Sequence, residues 1–289
     1  MKNAAYDQKE LRRNKRNALL LRAAVYAAAG LTVAVLCGIL LYILIKGVGH
    51  LSPELFALQY NSENCSVLPA LVNTLTVTFL ALLIAVPLGV FSAVYLVEYA
   101  KKGNRFVSLV RITAETLSGI PSIVYGLFGY LLFVTTLNFG YSLLSGALTL
   151  SIMILPVTMR TTEEALLSVP DAYREGSFGL GAGKLRTVFH VVLPSAVPGI
   201  LAGVILATGR IVGETAALIF TTGTVAQIPD SIMGSGRTLA VHLYALWNEG
   251  LNTDKAYATA VVLLVIVAAI NTLSAFIAKK ITKGKTDGR

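Results

Sequence analysis

Arg210 and Glu214 stand four residues apart in an otherwise apolar stretch, Val188 to Phe220. A guanidinium is planar, permanently charged and able to hold an oxyanion through two parallel N–H bonds. On a continuous helix a carboxylate four residues on would share its face. Two roles follow for the pair: Arg210 contacts an anion while Glu214 orients it, or the two form a structural ion pair that locks helices together. Arg160 closes a second stretch, Thr116 to Met159, that carries no charge. It either snorkels to the membrane interface or stands at the exit of an anion path. A third pattern is Glu175-Gly176-Ser177, three residues, Gly181, nine residues, then Val191-Val192-Leu193-Pro194. It reads as a small-residue helix face, a glycine turn and a second helix, which suits docking to a protein partner rather than catalysis.

Other chemistry is lacking. Gly179-Leu-Gly-Ala-Gly-Lys184 imitates a phosphate-binding loop, but that motif needs Gly, four residues and Gly-Lys-Ser/Thr. Position 178 is Phe, position 185 is Leu, and no strand precedes them. His50, His190 and His242 have no metal-ligand spacing. Cys37 and Cys65 cannot make a disulfide framework and read as a packed thiol and a loop residue. The chain is expected to bind no cofactor and to be no enzyme.

The elements that position these residues are membrane helices. Of 289 residues, 55% are hydrophobic and 13% charged, against about 45–50% and about 25% in soluble domains; the mean hydropathy is +0.71. That balance excludes a soluble enzyme and a disordered chain. About 20 apolar residues cross a bilayer as a helix. The candidates are Ala23 to Ile45, Val67 to Val97 (with Pro69 and Pro87 as kinks), two spans within Thr116 to Met159 broken at Asn138-Phe139-Gly140, Val188 to Phe220, and Ala256 to Ala278. Nothing shows the alternation of an outer-membrane barrel. The first run is too long for a signal-peptide core, despite Ala27-Ala28-Ala29, so the first span is read as uncleaved.

Six spans put both termini on one side. The tail to Arg22, the loop after span two extended to Arg111, the loop after span four and the C-terminal tail hold twenty Lys and Arg. The other side holds Lys46, Arg237 and Lys255. That asymmetry makes both termini cytoplasmic. The net charge of +9 is therefore a topology signal, and nucleic acid is excluded as a partner.

Local signals refine the loops. Ser168 is a possible helix cap, with Pro170 in the first turn and Asp171 behind it; Gly179, Gly181 and Gly183 then break the helix. Gly199, Gly203 and Ala207 lead along the face expected for Arg210, and Gly199/Gly203 and Gly209/Gly213 have the spacing for close helix approach. Glu115 opens the third span in this reading, complementing a helix dipole, while Gly119 and Pro121 bend or restart it. Ser118, Ser122, Tyr125 and Thr215 either line a polar route or bond within their helices. Trp247 and Tyr244 read as interfacial anchors or as docking residues for an outside protein.

The Glu175 to Pro194 pattern resembles the "EAA" loop of binding-protein-dependent ABC importer permeases: Glu-Ala-Ala, three residues, Gly, nine residues, Ile-x-Leu-Pro. Gly-Ser stands for Ala-Ala and Val for Ile; the spacing is unchanged. Ala114 to Gly129 and Gly213 to Thr221 are similar to segments of phosphate importer permeases, the second nearer the A-type than the C-type subunit. The resemblance covers roughly residues 68 to 278. It implies a single all-α transmembrane permease domain over 1–289, of type I importer fold, with six helices, a basic tail 1–22 and a coupling loop 163–187. Glu175, Gly176, Ser177 and Gly181 would dock on an ATPase; Arg210, Glu214 and Arg160 would face the substrate. The implied assembly is this chain, a homologous second permease, two ATPase subunits carrying ATP and Mg, and an extracytoplasmic phosphate-binding protein, in the bacterial inner membrane. The rival classes are a permease for another oxyanion or small solute, a stand-alone secondary transporter, whose coupling-ion site would lie at broken helices, and a six-span assembly protein.

Overall fold

The computed structural model describes residues 2–101 and 103–286, without the side chains of 2–13, 16 and 277–286. Of the charges counted above, Lys102 and Arg289, and the side chains of Lys2, Lys9, Arg12, Arg13, Arg16, Lys279, Lys280, Lys283 and Lys285, lie outside the described residues. The described chain is helical and contains no strand.

The helices are α1 (Lys2–Val48), α2 (Leu68–Val94), α3 (Arg105–Ser118), α4 (Ser122–Gly129), α5 (Leu143–Leu167), α6 (Asp171–Gly179), α7 (Lys184–Thr187), α8 (Leu193–Val212), α9 (Ala216–Ile219), α10 (Leu239–Glu249) and α11 (Thr253–Thr286). π-Helical turns extend α2 over Tyr95–Tyr99 and α4 over Tyr130–Thr136, and join α7 to α8 over Val188–Val192. Five of the expected spans are long apolar helices. The third, expected to begin at Thr116, is corrected to α4 with its π-helical turn, preceded by α3 from residues read as a loop. The two are bent by 102° and make a sixth span only when counted as one. Pro121 lacks an N–H and biases Ile120 away from helical geometry, so α3 stops at Ser118 and α4 restarts at Ser122. Tyr125 Oη donates to Leu117 O at 2.8 Å and fixes the bend. The restart expected at Gly119 and Pro121 is observed. The expectation for Glu115 is corrected: it occupies the last turn of α3, where a helix dipole gives a carboxylate no support. Pro69 sits in the first turn of α2, which needs no N–H there, while Pro87 lies inside it.

The fifth span is shorter than its apolar stretch. Helix α8 ends at Val212, with Gly213 at its C-terminal boundary. The chain then folds back: Ser142 N donates to Thr221 O at 3.0 Å, and Gly236 N to Thr222 O at 3.3 Å. The region read as an outside loop is thus built, and ends in α10.

Helix α5 is the hub. Leu150, Met153 and Ile154 are buried with Val77 of α2, Ile211 of α8 and Leu218 of α9. Within a membrane such contacts rest on van der Waals packing, which small residues permit. A Cβ on Gly89 would lie 2.6 Å from Thr158 Oγ1, one on Gly199 2.6 Å from Ala165 Cβ, and one on Gly203 would overlap Thr161. The close approach expected of Gly199 and Gly203 is observed, against α5. Helix α1 packs along α11, where Gly47 abuts Tyr257.

Candidate functional site

The loop between α5 and α8, the one expected to be the coupling loop, is helix, turn, helix. Helix α6 begins behind Pro170, with Asp171 in its first turn. Ser168 is not its cap, because α5 persists to Leu167 and the Ser168 hydroxyl turns back to donate to Ala165 O at 2.7 Å. The turn falls at Gly181, whose φ of +81° is left-handed, a region costly for a residue with a Cβ. Gly179 ends α6 and Gly183 precedes α7. Glu175 and Gly176 are exposed. Ser177 is half-buried because its hydroxyl meets Thr187 Oγ1 at 2.8 Å, joining the two limbs. Tyr173, Phe178, Leu180 and Leu185 project outward, Leu180 at 91% exposure, and no residue of α6 is buried.

One anchor of this loop escaped the sequence reading. Arg174 donates to Glu98, at the end of the second span, and to the carbonyls of Leu166 (3.0 Å) and Val169 (2.8 Å). Lys184 lies over the Tyr99 ring, 5.2 Å from its centroid.

The anion candidates lie deeper. Gly199 faces Ala165 and Gly203 faces Thr161, so α5 and α8 run antiparallel and Arg210 falls level with about Ile154. Gly89 faces Thr158, and Ser151 Oγ donates to Ala81 O at 3.2 Å; that level is about Ala85, near the middle of the 32-residue helix Leu68–Tyr99. Arg210 is exposed, on the strip of α8 that carries Ala202 and Leu206. The expectation that Gly203 and Ala207 share its face is corrected: both are buried, as is Ile211, on the side toward the core.

Arg210 and Glu214 are not paired in this structure. Glu214 lies beyond the end of α8, and its Oε1 accepts from Ala217 N at 3.1 Å. It is buried, and it stabilises the start of α9. Among the described residues no ion pair or hydrogen bond engages the Arg210 guanidinium.

A cavity of about 500 Å³ opens between α3, α5 and α8, toward the coupling-loop end. Arg111, Glu115, Ser118, Arg160, Glu163 and Leu206 line it. Leu206 is one helical turn from Arg210, so the cavity begins just below the arginine. Arg111 Nη2 meets Glu163 Oε1 at 2.5 Å, and Arg160 Nε meets Glu164 Oε1 at 3.1 Å. Both members of the Arg160 pair are about two-thirds exposed, and such a pair is worth at most about 1 kcal/mol. The Arg160 charge is thus balanced locally. Ser118 lines this cavity, whereas the Tyr125 hydroxyl is spent on the bend. Trp247 meets Tyr257 edge-on with centroids 5.6 Å apart, and Tyr244 is exposed.

The described residues thus form a bundle of up to six candidate spans, with a two-limbed loop between its fourth and fifth. Residues 85–286 match the family described as "Binding-protein-dependent transport system inner membrane component", and the chain belongs to that family, a multi-pass inner-membrane component of ABC transporters. It is 36% identical over 276 residues to "Probable ABC transporter permease protein YqgI" of Bacillus subtilis (strain 168), covering 89% of this chain and 94% of that protein. It is 39% identical over 211 residues to "Phosphate transport system permease protein PstA 1" of Mycobacterium tuberculosis (strain CDC 1551 / Oshkosh), covering 72% and 69%. Its fold is similar to a chain of a bacterial alginate ABC transporter solved with an alginate pentasaccharide-bound periplasmic protein: TM-score 0.71, 16% identity, 94% and 98% covered. It is also similar to one of the inward-facing MetNI methionine ABC transporter, at TM-score 0.58, 20% identity, 84% and 97% covered. Membership of this family replaces the secondary-transporter and assembly-protein readings.

Proposed function

We propose that this chain is the A-type permease subunit of an importer for inorganic phosphate, with Arg210 as its mid-membrane anion contact. The observation that carries the reading is an unpaired guanidinium at mid-depth, on the outward strip of α8, above a cavity that leads toward the coupling loop. The homologous second permease faces that strip, and phosphate passes between the two. A mid-bilayer charge costs about 2.5–3.5 kcal/mol on insertion scales, which argues for a wet, functional surroundings. The choice of phosphate rests on the PstA-named relatives and on the stretches Ala114 to Gly129 and Gly213 to Thr221.

In this reading both termini are cytoplasmic, as the Lys and Arg asymmetry supports. Glu175, Gly176, Ser177 and Gly181 present the loop to an ATPase dimer, which supplies ATP and Mg; the chain binds no cofactor. A phosphate-binding protein delivers substrate at the opposite end. Arg160 is the last basic group on the way out and exchanges Glu164 for the anion. The test is uptake of radiolabelled phosphate by the complete transporter in proteoliposomes, with loaded binding protein and internal ATP. ATP-dependent phosphate uptake that excess sulfate leaves unchanged is expected. Uptake of another oxyanion in its place would replace the substrate and keep the mechanism.

A further inference from the structure

Buried polar atoms in native proteins are nearly all hydrogen-bonded, and each exception calls for a reason. Among the described residues, six buried side-chain atoms have no partner: Asn73 Oδ1, Thr78 Oγ1, Arg237 Nε, Arg237 Nη2, Thr238 Oγ1 and His242 Nδ1. Five of the six lie in one cluster where α10 meets the start of α2. Asn73 Nδ2 donates to Arg237 O at 3.1 Å and to Gln227 O at 2.8 Å, Leu239 N donates to Thr74 Oγ1 at 2.8 Å, and His242 N donates to Thr238 O at 2.7 Å. The half-buried Tyr60 covers the cluster: the Arg237 guanidinium lies 4.6 Å from its ring centroid, and the His242 ring meets it edge-on at 5.9 Å.

The cluster lies at the end remote from the coupling loop. Asn73 and Glu98 belong to one continuous helix, α2 with its π-helical turn, and stand roughly 37 Å apart along it at about 1.5 Å per residue. Glu98 holds the coupling loop, so Arg237 faces the other side of the membrane.

The unpartnered atoms have a chemical signature. Arg237 is 4% exposed, and among the described residues no carboxylate pairs with it. Its two unpartnered nitrogens form one edge of the guanidinium, the edge that grips an oxyanion with parallel bonds. A cation–π contact stabilises the charge but satisfies neither N–H on that edge. The Thr238 hydroxyl can donate as well. The two remaining atoms accept. The Asn73 amide nitrogen is committed to two carbonyls, while Oδ1 has no partner. His242 Nε2 lies 3.2 Å from Cys65 O, so it carries the proton and Nδ1 is bare. Burial, reinforced by the neighbouring Arg237 charge, lowers the His242 pKa to about 3, which keeps the ring neutral.

We propose that Arg237, Thr238, Asn73 and His242 form an outer receptor for a protonated tetrahedral oxyanion, covered by Tyr60 in this conformation. Hydrogenphosphate offers both oxygens for the arginine edge and a P–OH for an acceptor. Sulfate at neutral pH has no proton to give. Entry of the anion displaces Tyr60, so the receptor lies between the binding protein's delivery point and Arg210. The assignment rests on the phosphate-importer reading for its ligand and on geometry for its site.

The test is the phosphate dependence of thermal stability, measured on the purified complex of both permeases and the ATPase pair, without the binding protein, in phospholipid-free maltoside micelles. Inorganic phosphate should stabilise the wild type saturably. The effect should persist in Arg210→Ala and vanish when Arg237→Met is added to that background, and sulfate should be at least about tenfold weaker, because the buried acceptor that takes the P–OH would then face a bare oxygen. Thr238→Val keeps the shape, removes one donor, and should raise the phosphate midpoint several-fold; it serves where Arg237→Met does not assemble. An Arg237-dependent effect that appears only when phosphatidylglycerol is supplied would assign the same site to a lipid phosphate. Stabilisation that survives Arg237→Met in the Arg210→Ala background, a midpoint unmoved in Thr238→Val, or no oxyanion effect under either condition would overturn the receptor. Uptake in the proteoliposome assay is scored separately, so a wild type that imports a different oxyanion and binds it through Arg237 would refute the phosphate reading and leave the site standing.

Discussion

Arg174 donates from Nη2 and Nε to a single carboxylate oxygen of Glu98, at 2.7 and 3.1 Å, and so ties α6 to the end of the second span. The two side chains are 15% and 8% exposed. Removing one partner of a buried pair leaves the other charge uncompensated, at a cost of roughly 3–5 kcal/mol. The bridge links α6 directly to the end of the second span. Arg174→Ala should lower thermal stability by several kelvin and reduce ATP-driven uptake at least about tenfold. Glu98→Gln keeps an acceptor for the same N–H groups and should fall between it and wild type. Uptake in Arg174→Ala that matches wild type, with the complex intact, would remove the pair from the coupling route.

Gly181 carries the turn between α6 and α7 at φ +81°. A residue with a Cβ in that region costs roughly 1–3 kcal/mol, and a β-branched one is the worst case. Gly181→Val should insert normally yet lose ATPase binding and uptake together. Gly181→Asn should be milder, since Asn tolerates left-handed geometry. Gly183→Ala should be neutral, because nothing lies within 4 Å of its missing Cβ and its φ is −71°. Comparing ATPase co-purification across the three variants checks the assignment; equal behaviour of Gly181→Val and Gly183→Ala would place the critical turn elsewhere.

What was legible in the sequence follows from the range of the forces involved. The long spans show because each must present about 20 apolar residues to lipid, and the turn at Gly181 shows because local backbone sterics demand glycine. The end of the fifth span was hidden, since Ala216 to Phe220 are as apolar as the helix before them. There the chain stops for tertiary reasons: Ala217 and Leu218 are buried in the core, and Glu214 bonds the start of α9. The Arg174–Glu98 bridge joins residues 76 positions apart, a distance no periodicity reaches. Ser168 misled because a capping residue is ambiguous where the preceding helix runs up to it.

His242 gives the outer cluster an acid limit. Its pKa is held down to about 3 from 6.5 by burial and by the Arg237 charge, whereas the unfolded chain binds a proton near 6.5. Below that pH the unfolded state takes up a proton that the folded ring refuses, so stability falls as pH drops from 6.5 toward 3. At pH 4.5 the loss is roughly 2–3 kcal/mol. Thermal unfolding in detergent at pH 7 and pH 4.5 should show a larger drop for wild type than for His242→Gln. Equal drops would mean that His242 takes up its proton in the folded protein as readily as in the unfolded chain.

Arg210 is the most informative target, because sequence spacing leaves two roles open for it and Glu214 bonds elsewhere. A locking ion pair predicts that removing either residue harms assembly and that removing both restores it. Here Glu214 already has a partner in the Ala217 N–H, and among the described residues the Arg210 guanidinium has none. Arg210→Ala therefore leaves no stranded carboxylate, and the variant should co-purify with its partner subunits in normal yield while phosphate uptake is abolished. Arg210→Lys keeps the charge but not the two-pronged edge, and should lose most of the uptake. Glu214→Gln retains a carbonyl oxygen for Ala217 N and should be nearly silent. Glu214→Ala strands that N–H at the start of α9, which costs about 1–3 kcal/mol, and should reduce yield more than activity per assembled complex. Measuring complex yield and uptake side by side resolves the matter. An Arg210/Glu214 double apolar variant that recovered uptake would show that the arginine serves the fold rather than the anion.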